Sequence, residues 1–261
     1  MNLPRLVGMV HLDALPGAPR FEGDLSAVIA SALDDASRLA EAGFGALMVE
    51  NFGDAPFYSD RVPPETVAAM TRVVAEITTR LDLPVGVNVL RNDAEAALAV
   101  AAATGADMIR VNVLSGIMYT DQGPVVGRAA DVARTRARLA PEVRILADVF
   151  VKHAVPPPGL TVADAARDTW ARGGADALVV SGAGTGAAVD PDRVRTVRSA
   201  VPDAPLLLGS GVTPDTITEL GGVVDGAIVG SWSKVGGCVD NPVDPVRAAE
   251  LVAAARDAGW T

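Results

Sequence analysis

The chain has 261 residues, of which 49% are hydrophobic, and it carries a formal net charge of −10. This negative balance disfavours a nucleic-acid partner, because binding to a phosphate backbone needs clustered Lys and Arg. The longest apolar stretches, such as residues 96–103, are far shorter than the ~18 residues that span a bilayer. No basic leader precedes the first apolar run, and the single cysteine, Cys238, cannot form an internal disulfide. We therefore expect a cytoplasmic protein that does not span a membrane.

Short apolar runs alternate with helical patterns along the whole chain. Strands are predicted at residues 6–12, 46–50, 85–90, 108–113, 144–151, 177–180, 206–209 and 227–230. Helices are predicted at residues 25–42 and 66–80, from a cap at Asn92 or Asp93 to residue 104, at 128–139 and at 162–172. Three further helices begin at Asp190-Pro191, Thr213-Pro214 and Asp244-Pro245, where a capping side chain precedes a proline in the first turn.

Eight alternations of strand and helix favour an α/β fold, a closed (β/α)8 TIM barrel that forms a single domain over residues 1–261. Apolar runs without alternation are typical of parallel strands covered on both faces. An open doubly wound sheet uses the same units and remains the alternative. Most loops that follow strands are long, and six of the ten aromatic residues lie in them. Such loops predict either a lid or a subunit contact, which leaves a homo-oligomer open.

Two glycine-rich loops, at residues 209–215 and 226–234, follow the last two predicted strands. Loops at these places of a barrel often hold a phosphate through their backbone N–H groups. We therefore predict a small phosphorylated ligand, with Lys234 as an added charge. The predicted phosphate-binding residues are Gly209, Ser210, Gly211, Gly230 and Ser231. The alternative is that the glycines only permit tight turns.

The segment SGAGTG, residues 181–186, contains GxGxG, a weak signal for a dinucleotide. The full GxGxxG pattern of an early βαβ unit is absent. We predict that the segment lines the barrel mouth, where Ser181 and Thr185 contact the substrate. A flavin phosphate could use the same loops, so FMN is a minor alternative.

Ionisable residues fall at the ends of the predicted strands, where barrels of this kind carry their active sites. Asp148 is a candidate general base, and His11 and His153 are candidates for proton transfer. Lys152 is a candidate phosphate contact or Schiff-base amine. Glu50 completes the candidate catalytic set. Strand alternation predicts that Asp148, Phe150 and Lys152 share one face.

Other polar residues in or beside the strands are candidates for positioning the substrate, namely Asn51, Asn88, Arg110 and Asn112. The alternative is a buried polar network, in which Asp148 forms a structural ion pair with Arg110. The carboxylates of Glu50 and Asp148 could join the two histidines around a divalent metal ion. Their spacing along the chain indicates no particular metal, so the cofactor remains undetermined.

Six segments together resemble the BtpA family, from residue 6 to the last helix: MVHLDALPGAPRF, ALMVENFGDAPFY, PVGVNVLRNDAEAALAVAAATGADMIRVNV, TDQG, ILADVFVKHA and GSGVTPD. The resemblance implies a barrel similar to phosphate-binding TIM barrels. The family takes its name from a cyanobacterial role in photosystem I accumulation, and SgcQ-like members have been described as nucleosidases or sugar-related enzymes. No defined reaction comes with the resemblance.

The expected function is acid–base chemistry on a sugar phosphate or a nucleoside-like metabolite. Isomerase, lyase and glycosidic hydrolase reactions all fit the candidate residues. Two alternatives belong to other classes. One is a non-catalytic factor for photosystem I assembly or stability, and the other is a regulatory protein that binds a ligand.

Overall fold

A computed structural model describes residues 4–182 and 184–260 of the chain. The strands, in chain order, are β1 (Leu6–His11), β2 (Ala46–Glu50), β3 (Val85–Asn88), β4 (Met108–Val111), β5 (Ile117–Thr120), β6 (Gly123–Val126), β7 (Arg144–Val149), β8 (Ala154–Val155), β9 (Ala177–Val180), β10 (Leu206–Leu208) and β11 (Gly226–Val229). Eight of these strands close into a parallel barrel in the order β1-β11-β10-β9-β7-β4-β3-β2. The predicted fold class, a (β/α)8 barrel, is therefore confirmed.

Helices pack around the barrel between successive strands. They are α1 (Leu25–Ala42), α2 (Pro64–Arg80), α3 (Ala94–Thr104), α4 (Ala129–Leu139), α5 (Val162–Arg167), α6 (Pro191–Ala200), α7 (Pro214–Leu220) and α8 (Pro245–Asp257). The side chains of Asp93, Asp190, Thr213 and Asp244 accept N–H groups at the starts of α3, α6, α7 and α8, as predicted. None of the helices formed by the described residues is both long and apolar enough to cross a membrane.

The barrel interior is filled by apolar side chains below the polar rim. Met9, Met48, Met108, Leu146 and Ile228 belong to this interior cluster, which is separate from the larger core between strands and helices. Gly86 makes room for the two central methionines, since a Cβ there would lie 2.5 Å from Met48 Cε. Because side chains fill the interior, a ligand can enter only at the rim.

The loop after β4 differs from its predicted irregular form. Its residues form the hairpin β5–β6, and β8 pairs with β5 to complete a small antiparallel sheet. Thr120 pairs with Gly123 across the turn, so Asp121 is a turn residue. Met118 and Val125 are buried on the inner face of this sheet with Val113 and Val151. Packing of that face explains why the segment is ordered.

Several predicted strands end one or two residues earlier than expected, and one predicted helix changes its form. The strand predicted over 144–151 ends at Val149, because Phe150 and His153 have positive φ values of 55° and 57°. Asp148, Phe150 and Lys152 therefore do not share a strand face, and that prediction was wrong. The helix predicted over 162–172 is α-helical to Arg167, and a π turn continues it from Asp168 to Arg172.

Candidate functional site

Three predicted site residues lie side by side at the C-terminal rim of the barrel. His11 pairs with Glu50, and Glu50 pairs with Asn88, in the parallel register of β1, β2 and β3. Each of them ends its strand, so the three polar side chains are level across the sheet. The structure thus places these three residues side by side at one rim, as the sequence predicts.

The same three side chains carry buried polar atoms that lack a hydrogen bond among the described residues. The atoms are His11 Nδ1, Glu50 Oε1 and Asn88 Oδ1. His11 Nε2 lies 3.8 Å from Glu50 Oε1, which is too long for a hydrogen bond. Buried polar atoms almost always have a partner. This row of atoms is therefore a place where a bound ligand can supply the missing partners.

Asp148 lies deeper, in an ion pair with Arg110. Its carboxylate accepts bonds from the Arg110 guanidinium at 3.0 and 3.2 Å and from Asn112 Nδ2 at 2.8 Å. The exposed fractions of the two ion-paired side chains are 1% for Arg110 and 0% for Asp148. Asn112 in turn accepts a bond from Asn88. The geometry favours the structural ion pair over the interpretation of Asp148 as a general base.

The carboxylates beside Arg110 stabilise its positive charge. Burial lowers the pKa of Arg110, but the neighbouring Asp148 and Glu50 outweigh burial and hold the pKa above its usual range. A guanidinium that is already matched by a carboxylate has less need of a ligand anion.

Of the cavities that open at the rim, two adjoin each other. Cavity A has a volume of about 470 Å³, and its lining includes both glycine-rich loops together with His11, Arg110, Lys152, Thr185, Trp232 and Arg247. Cavity B has a volume of about 540 Å³, and its lining includes Arg20, Glu50, Phe52, Phe57, Arg91, Asp121, Lys152, His153, Thr185 and Asp240. Lys152 and Thr185 line both cavities, so A and B adjoin at these two residues.

The glycine-rich loop after β10 comes very close to the loop after β9. A Cβ on Gly211 would lie 2.2 Å from the Ala187 carbonyl oxygen, and Gly211 has a φ of +62°. The Ser210 hydroxyl accepts the Gly182 N–H at 2.7 Å and donates to the Ala187 carbonyl at 3.3 Å. This hydroxyl is therefore occupied within the protein. The backbone amides of Ser210 and Gly211 donate to no other described residue and remain available to an anion.

Gly230 is needed both for space and for its backbone conformation. A Cβ at this position would lie 3.0 Å from His11 Cε1, and its φ of −112° with a ψ of −93° lies outside the ordinary α and β regions. Gly209 is similarly crowded by Val179, Ser181 and Arg110. The absence of side chains at these glycines lets the rim residues approach the loops that close cavity A.

Lys234, predicted as an added charge for the phosphate, is not among the residues that line cavity A. Its ammonium forms a buried ion pair with Asp35 of α1, and the exposed fraction of the Lys234 side chain is 2%. Asp35 also accepts the Val243 N–H at 2.7 Å. This ion pair connects the loop after β11 to α1, so Lys234 has a structural role.

Besides Arg110 and Lys152, cavity A is lined by a cation that the sequence did not point out. Arg247, at the start of α8, donates Nε–H to the Trp232 carbonyl at 2.7 Å, and its guanidinium lies 4.2 Å from the Trp232 ring centroid. The indole Nε1 of Trp232 is buried without a partner among the described residues. The signal available in the sequence was an arginine in the first turn of the helix that follows a glycine-rich loop.

The remaining predicted residues take part mainly in contacts between loops. Asn51 accepts the Leu90 N–H at 2.7 Å and donates to Asp54 at 3.0 Å, so its amide is engaged at both ends. His153 Nε2 lies 3.0 Å from the Thr185 hydroxyl and accepts the Thr185 N–H at 3.1 Å. Ser181 is fully buried. Ala183, within the predicted glycine-rich segment, lies outside the described residues.

The proposed metal set is not assembled by the fold. Among residues 4–182 and 184–260, no group of three His, Cys, Asp or Glu side chains is arranged to hold a metal ion. Asp148 is bound by Arg110 and Asn112, and His153 by Thr185. The candidate ligands Glu50, His11, Asp148 and His153 therefore do not fit a common divalent ion.

Burial keeps His11 neutral, which gives a prediction for pH. Burial lowers the pKa of His11 well below its usual range, and Lys234, Lys152 and Arg110 lower it further. Below pH ~6.5 a histidine in the unfolded chain takes up a proton, whereas His11 in the folded protein stays neutral. The free energy of unfolding therefore decreases as the pH is lowered. Between pH 7 and pH 5.5 we expect the free energy of unfolding of His11→Asn to decrease by about 1 kcal/mol less than that of the wild type.

Urea unfolding of the wild type and of His11→Asn at the two pH values measures this difference. His153→Asn is the matched control. The pKa of His153 is also lowered, by burial and by Lys152 and Arg91, but its ring is largely exposed, so we expect a smaller effect. Equal pH dependence in the wild type and His11→Asn would contradict the prediction.

The fold and the rim together define a TIM-barrel protein with a polar, partly unsatisfied cavity at the C-terminal ends of its strands. The model of the BtpA family matches residues 3–257. The chain belongs to the BtpA family.

Relatives align over nearly the whole chain. The Thermococcus kodakarensis protein TK2179 is 49% identical over 97% of this chain and 95% of its own length. The photosystem I biogenesis protein BtpA of Synechocystis is 43% identical over 95% of this chain and 87% of its own length. The predicted resemblance to this family is therefore confirmed.

Solved structures with low identity share the fold. Thiamine phosphate pyrophosphorylase from Pyrococcus furiosus superposes with a TM-score of 0.60 at 17% identity, covering 98% of this chain and 96% of that protein. Orotidine 5'-phosphate decarboxylase from Pyrococcus horikoshii gives a TM-score of 0.60 at 12% identity, covering 96% and 99%. At these identities the likeness concerns the barrel architecture.

Proposed function

We propose that this protein is an enzyme that binds a phosphorylated small metabolite in cavity A and acts on it by acid–base chemistry. One observation carries the proposal: a single cavity of about 470 Å³ joins the glycine-rich loops after β10 and β11 to the ionisable residues His11 and Lys152. The structural neighbours named for thiamine phosphate and orotidine 5'-phosphate support a phosphorylated ligand. In this proposal the amides of Ser210 and Gly211 face the phosphate, and Arg247 adds positive charge.

Lys152 and Glu50 are the proposed proton-transfer groups. Burial lowers the pKa of Lys152, and the nearby cations Arg110 and Arg91 lower it further, against the opposing effect of Glu50. A lysine with a lowered pKa releases its proton more readily near neutral pH. Glu50 is buried and has an oxygen without a partner in the part of the chain that the structure describes. We assign Glu50 as proton acceptor, Lys152 as proton donor, and Asn88 as the group that orients the substrate beside them.

These residues are compatible with more than one reaction. Isomerisation, lyase chemistry and hydrolysis of a glycosidic bond can all use a proton acceptor and a proton donor placed beside a polar substrate. A neutral Lys152 amine would also suit a carbonyl substrate. The cytoplasmic location remains a prediction.

Ligand binding can be tested by thermal unfolding. We expect inorganic phosphate and ribose 5-phosphate to raise the melting temperature, because a ligand that binds only the folded state stabilises it by about 2.7 kcal/mol at 100 times its Kd. Ribose without a phosphate should have little effect. The variant Gly230→Val should lose the phosphate-dependent shift, since a side chain there crowds His11 and narrows cavity A.

Gly222→Val is the matched control, because a Cβ at Gly222 meets no atom within 4 Å. It should keep the shift given by ribose 5-phosphate. Equal shifts from ribose and ribose 5-phosphate, or a full shift in Gly230→Val, would disprove the assignment of cavity A to the phosphate.

A second candidate function is that of an assembly factor without a substrate. The relative named as a photosystem I biogenesis protein favours it, as does the outer face of the small sheet, where Tyr119 is 49% exposed and its cross-strand partner Val155 is 66% exposed. A factor of this kind has no use for an anion in cavity A. The absence of any phosphate-dependent stabilisation in the wild type would therefore favour this candidate over the enzyme.

A further inference from the structure

Arg91 is a buried cation without a matching anion. It follows β3, it is 4% exposed, and its Nη2 donates to the Lys152 carbonyl at 2.6 Å. It forms no ion pair with a carboxylate among the described residues, whereas Arg110 is paired with Asp148. Arginine is almost never buried without a partner, because desolvation of its charge is costly. A buried guanidinium without a paired carboxylate among the described residues is therefore unusual.

Arg91 is one of the residues that line cavity B. Three more basic side chains line the same cavity, Arg20, Lys152 and His153. The ammonium of Lys152 likewise forms no ion pair or hydrogen bond with another described residue. Arg91, which is buried, and Lys152, which is half-buried, thus both line one cavity without a counter-ion among the described residues, in a chain whose net charge is −10.

Acidic residues also line cavity B, but none of them pairs with Arg91. Glu50, Asp121 and Asp240 are among its lining residues. Burial lowers the pKa of Arg91, and the longer-range attraction of Asp148, Glu50 and Asp121 does not offset this effect. The protein's own carboxylates therefore leave the charge of Arg91 incompletely compensated. A ligand anion at hydrogen-bond distance would complete it.

The two cavities adjoin, and this relation links Arg91 to the site in cavity A. Lys152 and Thr185 line both cavities. A ligand whose phosphate lies on the glycine-rich loops of cavity A would extend past Lys152 toward Arg91. The planar guanidinium offers paired N–H donors that match a carboxylate or a phosphate.

We propose that cavity B binds a second anionic group of the same ligand, so that the substrate carries a phosphate at one end and a carboxylate or second phosphate at the other. The inference rests on the proposed function of cavity A and narrows its substrate class. The reacting carbon atoms then lie between the two anions, next to Lys152, Glu50 and Asn88. The unpartnered oxygen of Glu50 faces a hydroxyl or an acidic C–H of the ligand rather than its anionic group.

Matched ligand pairs test the second anion by isothermal titration calorimetry. One pair is 6-phosphogluconate and glucitol 6-phosphate, which differ by a carboxylate. The other pair is fructose 1,6-bisphosphate and fructose 6-phosphate, which differ by a phosphate. We expect the doubly anionic member of at least one pair to bind tenfold or more tightly than its partner, and the pair that shows the difference identifies the second group.

The variant Arg91→Gln should reduce this advantage to less than threefold while leaving the affinity for the singly anionic ligands within twofold. Arg91→Lys should restore part of the advantage. Arg72→Gln, on an exposed position of α2, is the control and should change neither affinity. Should Arg91→Gln fail to fold, Arg20→Gln serves instead, since Arg20 is exposed and lines the same cavity, with an expected two- to threefold loss of the advantage.

The possible failures are distinguishable. If glucitol 6-phosphate and fructose 6-phosphate bind but the second anion adds nothing, the inference is wrong and the proposal for cavity A stands. An advantage that survives both Arg91→Gln and Arg20→Gln also overturns the inference. If none of the four ligands and no inorganic phosphate binds, the proposed function fails and the inference fails with it.

Discussion

An Asp148→Asn variant is expected to lose about 3–5 kcal/mol of its free energy of unfolding, because removing one partner of a buried ion pair leaves the other charge uncompensated. The uncompensated charge would be that of Arg110, whose side chain is 1% exposed. Urea unfolding monitored by circular dichroism measures the loss. The variant should also bind phosphorylated ligands more weakly, since Asn112 and Asn88 are held through the same network.

Two further variants test whether the lost stability comes from the unpaired charge of Arg110. The double variant Arg110→Met/Asp148→Leu should recover most of the lost stability, because replacing a buried ion pair by apolar groups of similar size is often neutral or stabilising. Asp131→Asn, whose side chain is 53% exposed, should change the stability by less than about 1 kcal/mol. If Asp148→Asn unfolds like the wild type but loses all turnover, Asp148 is the general base after all.

The variant Glu50→Gln is expected to lower kcat by about 10²–10⁴-fold, the usual contribution of a general base. The amide keeps the size and most of the hydrogen-bonding capacity of the carboxylate but cannot accept a proton. The assay uses the phosphorylated ligand that stabilises the wild type most strongly and for which turnover is detected. The Kd of that ligand should change by less than about threefold.

Glu76→Gln is the control, since Glu76 pairs with Arg80 on the surface of α2 and should leave kcat unchanged. A second measurement guards against a trivial loss of folding: the melting temperature of Glu50→Gln should equal or exceed that of the wild type. Glu50 is buried with an unpartnered oxygen, and burial of an unpaired charge is destabilising. A kcat within twofold of the wild-type value would remove Glu50 from the mechanism.

The two predictions distinguish residues that stabilise the rim, such as Asp148, from residues that take part in the proposed reaction, such as Glu50. Asp148 and Arg110 satisfy each other and hold Asn112, which accepts a bond from Asn88. Glu50, His11 and Asn88 each keep an atom without a partner within residues 4–182 and 184–260. In buried polar networks, groups that are fully satisfied stabilise the structure, while groups left open are candidates for contact with a ligand.

Most of the barrel could be predicted from the sequence because local signals agree with the fold. Apolar runs mark the buried strands, and the cap-plus-proline pairs at Asp190, Thr213 and Asp244 mark three helix starts. The hairpin β5–β6 could not be predicted so easily. Its strands are short, and their order depends on the burial of Met118 and Val125 against residues far along the chain.

The sequence also predicted that polar residues gather at one rim, since parallel strands place their carboxyl ends together. It could not say which of them are paired. Asp148 lies 38 residues from Arg110, and Lys234 lies 199 residues from Asp35. Both pairs convert candidate functional residues into structural ones. Arg91 was missed because nothing in its local sequence distinguishes it from a surface arginine. Arg247 was missed because its one local signal, a position in the first turn of the helix after a glycine-rich loop, is shared by many surface arginines.

The amino-acid sequence by itself determined the barrel, its family and the set of polar groups that end the strands, because hydrophobic pattern and capping act over a few neighbouring residues. Only the tertiary structure decided which charges neutralise each other and which remain open to a ligand. Ion pairing and desolvation depend on distances between residues that are remote in the chain. Glu50, Lys152 and Arg91 stand out at the rim for that reason, while Asp148 and Lys234 do not.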